Sequence, residues 1–239
     1  MQKTNFQMVN EFHNVFGHKN SSVLLTNILE NDYKTINFRI SMIDEEFDEF
    51  IDAHSKKDFK ECIDAICDML YFIYGTFDVI GYNFDNILNN HTKEKYNFDN
   101  VNHDVFEKYE YDCLFHIHSI YHNIKMLRNC TVDKNLTYFI NSLIRLENIC
   151  QTLSTLFGVD SHKCFAEVHR SNMTKLCKTE QEAINTVNTY KQLLEEGKSS
   201  YNEPSFRYDE KNGYWIVYDN TTSKILKSIN FELPKFYFE

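Results

Sequence analysis

The sequence predicts a mainly α-helical protein, an antiparallel helical bundle with a small antiparallel β-appendage at the C-terminal end. Three observations carry this. The 239 residues hold only two prolines and six glycines, too little turn material for a fold of many short strands. Apolar side chains recur at steps of three and four through most of residues 1–198. Beyond them the pattern changes to short runs of β-formers separated by turn residues.

Taken in order, Asn5 to Gly17 reads as a short amphipathic helix closed by glycine, which tolerates the left-handed position after a helix. From Ile36 to Ala53, the side chains of Ile36, Ile40, Ile43, Phe47 and Phe50 share one helical face. His54-Ser-Lys-Lys-Asp breaks the pattern. A second helix, Phe59 to about Ile80, carries Ile63, Ile66, Cys67, Leu70, Ile73 and Tyr74, with Asp58 as N-cap and Gly81 as stop. Asn89 to Asp104 is polar and reads as a loop. Val105 to about Arg128 and Lys134 to Phe157 are again helical; further helices follow at about His162 to Leu176 and from Thr179 to Glu196. Strands are expected at Ser205–Tyr208, Tyr214–Tyr218 and Lys224–Ser228, with turns at Lys211-Asn-Gly and Asp219-Asn-Thr-Thr. The expected organisation is an all-α domain over 1–198, with a helical insertion at about 91–157, and a β-appendage with a tail over 199–239.

Gly81-Tyr-Asn-Phe-Asp loosely echoes Gly158-Val-Asp-Ser-His, and each follows a helical pair. This raises an internal duplication, with 105–128 and 134–157 as the second pair. The residue match is weak: Glu61, Asp64 and Asp68 correspond to Tyr138, Asn141 and Arg145, so a second copy would lack the acids.

A formal charge of -10 excludes a general affinity for nucleic-acid backbone, which needs clustered Lys and Arg. It leaves room for a nucleotide substrate, because acidic clusters hold divalent ions that bridge to phosphate. No apolar run reaches the length of a membrane span, and the polar N-terminal residues do not resemble a signal peptide. Seven cysteines without any C-x-x-C pair suit thiols packed as small core residues in a reducing compartment. A cytoplasmic protein is expected.

Glu45, Glu46 and Glu49 lie in the first long helix, and Glu61, Asp64 and Asp68 share a face of the next. Like charges at these spacings cost an isolated helix a few tenths of a kcal/mol, a cost that a hard cation reverses. Spacing alone leaves two readings open, a solvated acidic face or a metal site. A di-iron carboxylate bundle is disfavoured, because no Glu-x-x-His occurs.

Longer motifs add to this. Arg39-Ile-Ser-Met-Ile-Asp-Glu-Glu-Phe-Asp-Glu-Phe resembles the R-x-x-L-I-x-E-E-x-x-E-L helix of MazG-like nucleoside-triphosphate pyrophosphohydrolases. The run from Asp58 to Thr76 resembles their second motif, D-x-x-E-I-x-D-A-x-A-D-x-x-Y-x-x-x-G-T. Val9-Asn-Glu-Phe-His-Asn-Val-Phe-Gly and Phe165-Ala-Glu-Val-His-Arg-Ser-Asn-Met-Thr-Lys look like segments of the phosphoribosyl-ATP pyrophosphohydrolase-like subgroup. Lys224-Ile-Leu-Lys-Ser resembles its short tail strand. The resemblance spans about 5–90 and 158–178; a helical insertion of roughly seventy residues separates the two parts.

The resemblance implies an all-α fold, Mg²⁺ or Mn²⁺ as cofactor, and Glu46, Glu49, Glu61 and Asp64 as ligands, with Asp68 next. Glu45 would be a ligand or the base that activates water. Arg170, Asn172 and Lys175 would contact phosphates or the nucleotide, Lys227 a phosphate, and His13 with Phe12 would line a base pocket. Each has a plainer reading, as cations complementing a helix C-terminus or as an aromatic packed in the core. The implied reaction is hydrolysis of a nucleoside triphosphate, by analogy a deoxyribonucleotide, to monophosphate and pyrophosphate, in house-cleaning of the nucleotide pool. Phosphoribosyl-ATP is the alternative substrate, and a non-catalytic nucleotide-binding or scaffold protein the alternative of another class. Such enzymes share a four-helix bundle between subunits, so a homodimer or an internal pseudo-dimer is expected. The Asn-, Lys- and Tyr-rich composition suits an AT-rich genome, as of a large DNA virus or a protist.

Overall fold

The computed structural model describes residues 2–88 and 104–236. The loop expected at Asn89 to Asp104 lies almost wholly outside these residues. Ten helices and two strands are described: α1 Asn5–Phe16, α2 Ile28–Asn31, α3 Tyr33–Ser55, α4 Phe59–Ile80, α5 Asp85–Leu88, α6 Val105–Lys108, α7 Glu110–Val132, α8 Leu136–Leu156, α9 Ser161–Met173, α10 Glu180–Glu195, β1 Pro204–Asp209 and β2 Tyr214–Asp219. The chain divides into two compact units, Met1–Asn10 with Lys19–Ala166 and Phe236–Glu239, and Glu11–His18 with Glu167–Lys235.

The first unit is built around α4, which is buried on nearly every side from Cys62 to Ile80. A helix apolar all round must be wrapped by others. Here α3 packs on one side as the antiparallel arm of a hairpin, and α8 on another. The second hairpin, α7 with α8, completes a four-helix arrangement in which α3 also meets α7. Both ends of α4 follow the sequence signals. Asp58 caps it, its side chain accepting from Glu61 N at 3.1 Å. Gly81 ends it at φ +73°, and a Cβ there would lie 1.8 Å from the carbonyl oxygen of Val23, so only glycine fits. Between the hairpin arms, the buried Arg39 reaches from α3 to donate to Thr76 Oγ1 at 3.1 Å and to the Phe72 carbonyl at 3.3 Å. Burial pulls its guanidinium down to about 10, opposed by the nearby Asp78.

The two hairpins repeat each other at a constant offset of 77 residues, the separation between Tyr74 and Gln151. At that offset α2 falls on α6, Tyr33–Ser55 on Glu110–Val132, and Phe59 on Leu136. The backbone bonds at the hairpin turns coincide: Asp58 N to Ala53 O matches Asn135 N to Cys130 O, and Lys57 N to His54 O matches Lys134 N to Thr131 O. Lys57 and Lys134 both adopt positive φ, 56° and 55°. Asn135 caps α8 as Asp58 caps α4, and Gly158 follows α8 at φ +71° as Gly81 follows α4. The repeat extends into the next turn, where Asp85 N bonds Asn83 Oδ1 and His162 N bonds Asp160 Oδ1.

In the second unit, β1 and β2 pair antiparallel and lie against α10. Their small core holds Cys177, Ala183, Val187, Val217 and Leu226. The strand expected at Lys224–Ser228 does not form. Only an isolated bridge joins Ile225 to Tyr218, because the next ladder position on that edge of β2 is taken: Trp215 exchanges both of its backbone bonds with Cys177, while Lys227 N and Ile229 N, on the other side of the segment, bond Tyr190 Oη and Thr186 Oγ1 of α10. The buried Asp219 carboxylate fixes the preceding turn, accepting from Glu203 N, Thr222 N and the hydroxyls of Thr221 and Thr222. Burial pushes this carboxyl up, but those bonds outweigh it and hold it at about 2.

All seven cysteines are buried free thiols, as expected of core residues. Among the described residues no helix is long and apolar enough to cross a membrane.

Candidate active site

The α3–α4 hairpin turns its acidic residues toward a cleft of about 720 Å³. Glu45 and Glu49 line it from α3, Glu61 and Asp64 from α4, and Asp58 from the connecting turn. Hairpin geometry accounts for the convergence. The arms are locked by Arg39 and their buried faces, so acids flanking those faces from both sides meet at the seam.

Glu46 sits deepest. Its own burial, then Asp68, Glu49, Glu45 and Asp64 in that order, pushes its carboxyl up to about 8. Five of the six expected acids therefore interact around one point, and Glu61 lines the same cleft as three of them. Among the described residues, no group of three or more His, Cys, Asp or Glu side chains is arranged to hold an ion as it stands. The donor set nonetheless fits a hard divalent cation. Every donor is a carboxylate oxygen, and a central carboxyl that resists losing its proton because of burial and then of negative neighbours is one that a cation would favour in its charged form.

Several lining groups escaped the sequence reading. Asp44, Asp48 and Asp52 extend the acidic wall along α3 at steps of four, a spacing visible in the sequence. Lys56 also lines the cleft, paired with Asp52 at 2.5 Å. Arg128 of α7 donates to Asp44, a contact between residues 84 positions apart that only the tertiary fold reveals.

The remaining expected residues belong to the second unit. His13 is buried, its ring 5.4 Å from that of His18 and 6.4 Å from that of Phe12. Lys175 Nζ lies 5.9 Å from the centre of the Phe12 ring. Arg170 donates to both carboxylate oxygens of Glu167, at 2.9 and 2.8 Å, and to Glu232 at 2.9 Å. Its fork is therefore engaged within the protein. Asn172 accepts from Lys175 N through its carbonyl at 3.1 Å, and Lys227 Nζ lies 4.7 Å from the Phe231 ring centre. Two motif residues not singled out from the sequence, Glu11 and His169, pair at 3.1 Å.

Residues 9–95 match the family model described as phosphoribosyl-ATP pyrophosphohydrolase. The matched segment carries all six acids. The chain is 34% identical to an uncharacterized protein of Acanthamoeba polyphaga mimivirus, over 98% of this chain and 94% of that protein. No solved structure matches. With the family's acidic helices in place on one hairpin, the chain belongs to the MazG-like superfamily of pyrophosphohydrolases, through its phosphoribosyl-ATP pyrophosphohydrolase family.

Proposed function

We propose that the protein hydrolyses a nucleoside triphosphate, by preference a deoxyribonucleotide, between its α and β phosphates to give the monophosphate and pyrophosphate, and so cleans the nucleotide pool. The observation that supports this most is the convergence of Glu45, Glu46, Glu49, Asp64 and Asp68 around one point beside an open cleft. Glu46, Glu49, Glu61, Asp64 and Asp68 would hold Mg²⁺ or Mn²⁺. When bound, the ion supplies charge stabilisation for the phosphates and lowers the pKa of water.

The chain's own residues do the rest. Glu45, an exposed acid lining the cleft, would accept a proton from the attacking water. The hairpin fixes the carboxylates on two rigid helices, so little reorganisation is needed when substrate arrives. The acidic wall repels a bare triphosphate, so the substrate enters with its metal. Lys56 and Arg128 meet that wall, each held by an aspartate of α3. Arg170, Asn172, Lys175 and Lys227, with His13, are proposed for the phosphates and base on the strength of the motif resemblance.

Phosphoribosyl-ATP is kept as a second substrate because the matching family carries that description. A panel of NTPs, dNTPs and phosphoribosyl-ATP with Mg²⁺ or Mn²⁺, scored for pyrophosphate and monophosphate, decides between them. Binding without turnover across the whole panel would overturn the enzyme reading in favour of a nucleotide-binding protein.

A further inference from the structure

The 77-residue repeat has a property beyond similarity of its parts: its contacts are reciprocal. Lys57 Nζ meets Glu107 Oε1 at 3.1 Å, and Lys134 Nζ meets Glu30 Oε1 at 2.6 Å. Lys134 is the repeat equivalent of Lys57, and Glu107 the equivalent of Glu30, at the same offset. Residue i of the first copy thus meets residue j of the second, and residue j of the first meets residue i of the second. That is the pattern of an isologous two-fold interface. Tyr74 and Gln151, equivalent to each other, come together at 3.4 Å, as positions on a two-fold axis must. Unrelated helices added beside a hairpin would share general capping rules, but not one offset for helix bounds, turn bonds and crossed ion pairs.

We infer that α6 to α8, with the start of α9, is a second copy of the first hairpin unit serving as a built-in partner subunit, so that one chain closes its own four-helix bundle and carries one acidic site. The positions equivalent to Glu45, Glu46, Glu49, Glu61, Asp64 and Asp68 are His122, Asn123, Met126, Tyr138, Asn141 and Arg145, none of them a carboxylate. The surface that two separate hairpins would use to pair is already covered within the chain. Tyr74 bonds Glu147 there, and Phe50, Phe59 and Phe106 all pack on Phe157.

The mass of the full chain in solution tests this, by light scattering or sedimentation across about 1–100 µM with and without Mn²⁺. The expected mass is that of one chain, 28.6 kDa. A mass of two chains or more overturns the inference. A second measurement uses the double variant Glu30→Cys with Lys134→Cys under mild oxidation. A cross-linked species of one-chain mass supports the built-in partner, and a cross-linked dimer overturns it. Neither readout depends on turnover. An inactive protein of one-chain mass would sink the proposed function and leave this inference standing.

Discussion

Lys134 is paired with Glu30 at 2.6 Å across the two hairpins, and the same pair recurs with the copies exchanged as Lys57 with Glu107. All four side chains are more than half exposed, which bounds their worth: such pairs contribute ~0.2–1 kcal/mol and weaken in salt. Double-mutant cycles on the two pairs, read by urea unfolding, should give coupling energies of the same sign and similar size, both shrinking toward zero in 1 M salt. Coupling at one pair alone would contradict the two-fold relation.

Glu49→Gln and Asp64→Asn should each lower pyrophosphate release by about 100-fold or more, and chelation with EDTA should abolish it until Mg²⁺ or Mn²⁺ is restored. The metal-free variants should stay folded, with melting temperatures equal to or above that of the parent, because each change removes a charge from a mutually repelling set. A variant retaining full activity would refute the assignment of the acids.

Glu147 is buried against Tyr74 and Gln151, accepting from Tyr74 Oη at 2.7 Å and from Gln151 Nε2 at 3.0 Å. Burial raises its pKa, and those two bonds only partly oppose the rise. The folded state then holds this proton more tightly than the unfolded state does. Stability from this group is full below the ordinary value of 4.5 and is lost as pH rises through the folded value. Glu147→Gln keeps an acceptor for Tyr74 and removes the charge. Its melting temperature should equal or exceed the parent's at pH 8, with the difference narrowing toward pH 4.

His54 behaves in the opposite sense. Its ring lies between Phe50 and Phe106, with Nε2 buried and making no hydrogen bond. Burial lowers its pKa below 6.5, partly opposed by Glu110. Stability from this group is full above 6.5 and is lost as pH falls through the folded value. His54→Leu should flatten that acid-side loss in a series of thermal melts from pH 7 to pH 5. An unchanged slope would remove His54 as its source.

Gly81→Ala should destabilise the protein by at least about 2 kcal/mol in urea titrations, because left-handed backbone and a clash with the Val23 carbonyl act together. A change below ~0.5 kcal/mol would show that the loop carrying Val23 gives way at little cost.

Much of the fold was legible because local signals and burial agreed. The bounds of α4, its Asp58 cap and its glycine stop were all readable, since capping chemistry and the apolar run point to the same residues. The α3 helix begins three residues earlier than its apolar pattern, at Tyr33, because its first turn is exposed and polar and carries no periodic mark. The third strand failed where Cys177, from a distant part of the sequence, took the backbone bonds of Trp215 on the edge of β2, which no local pattern announces. For the site, the acids were legible as spacing, but their meeting point and the approach of Arg128 to Asp44 exist only in the folded chain. The duplication was visible only as an echo, since the side chains differ at nearly every site position while turn bonds and caps coincide.

On the axis of a true homodimer a residue can meet only itself, so whatever occupies that position must be content with an identical neighbour. Here the two halves are free to differ, and the meeting of Tyr74 with Gln151 uses that freedom. The Gln151 amide donates to the phenol oxygen, and the phenol in turn donates to Glu147. The result is a chain of bonds with a direction. Fusing two copies into one polypeptide thus permits a polar, one-way connection at the centre of the bundle, one that a pair of identical subunits meeting as equals would have to break in half.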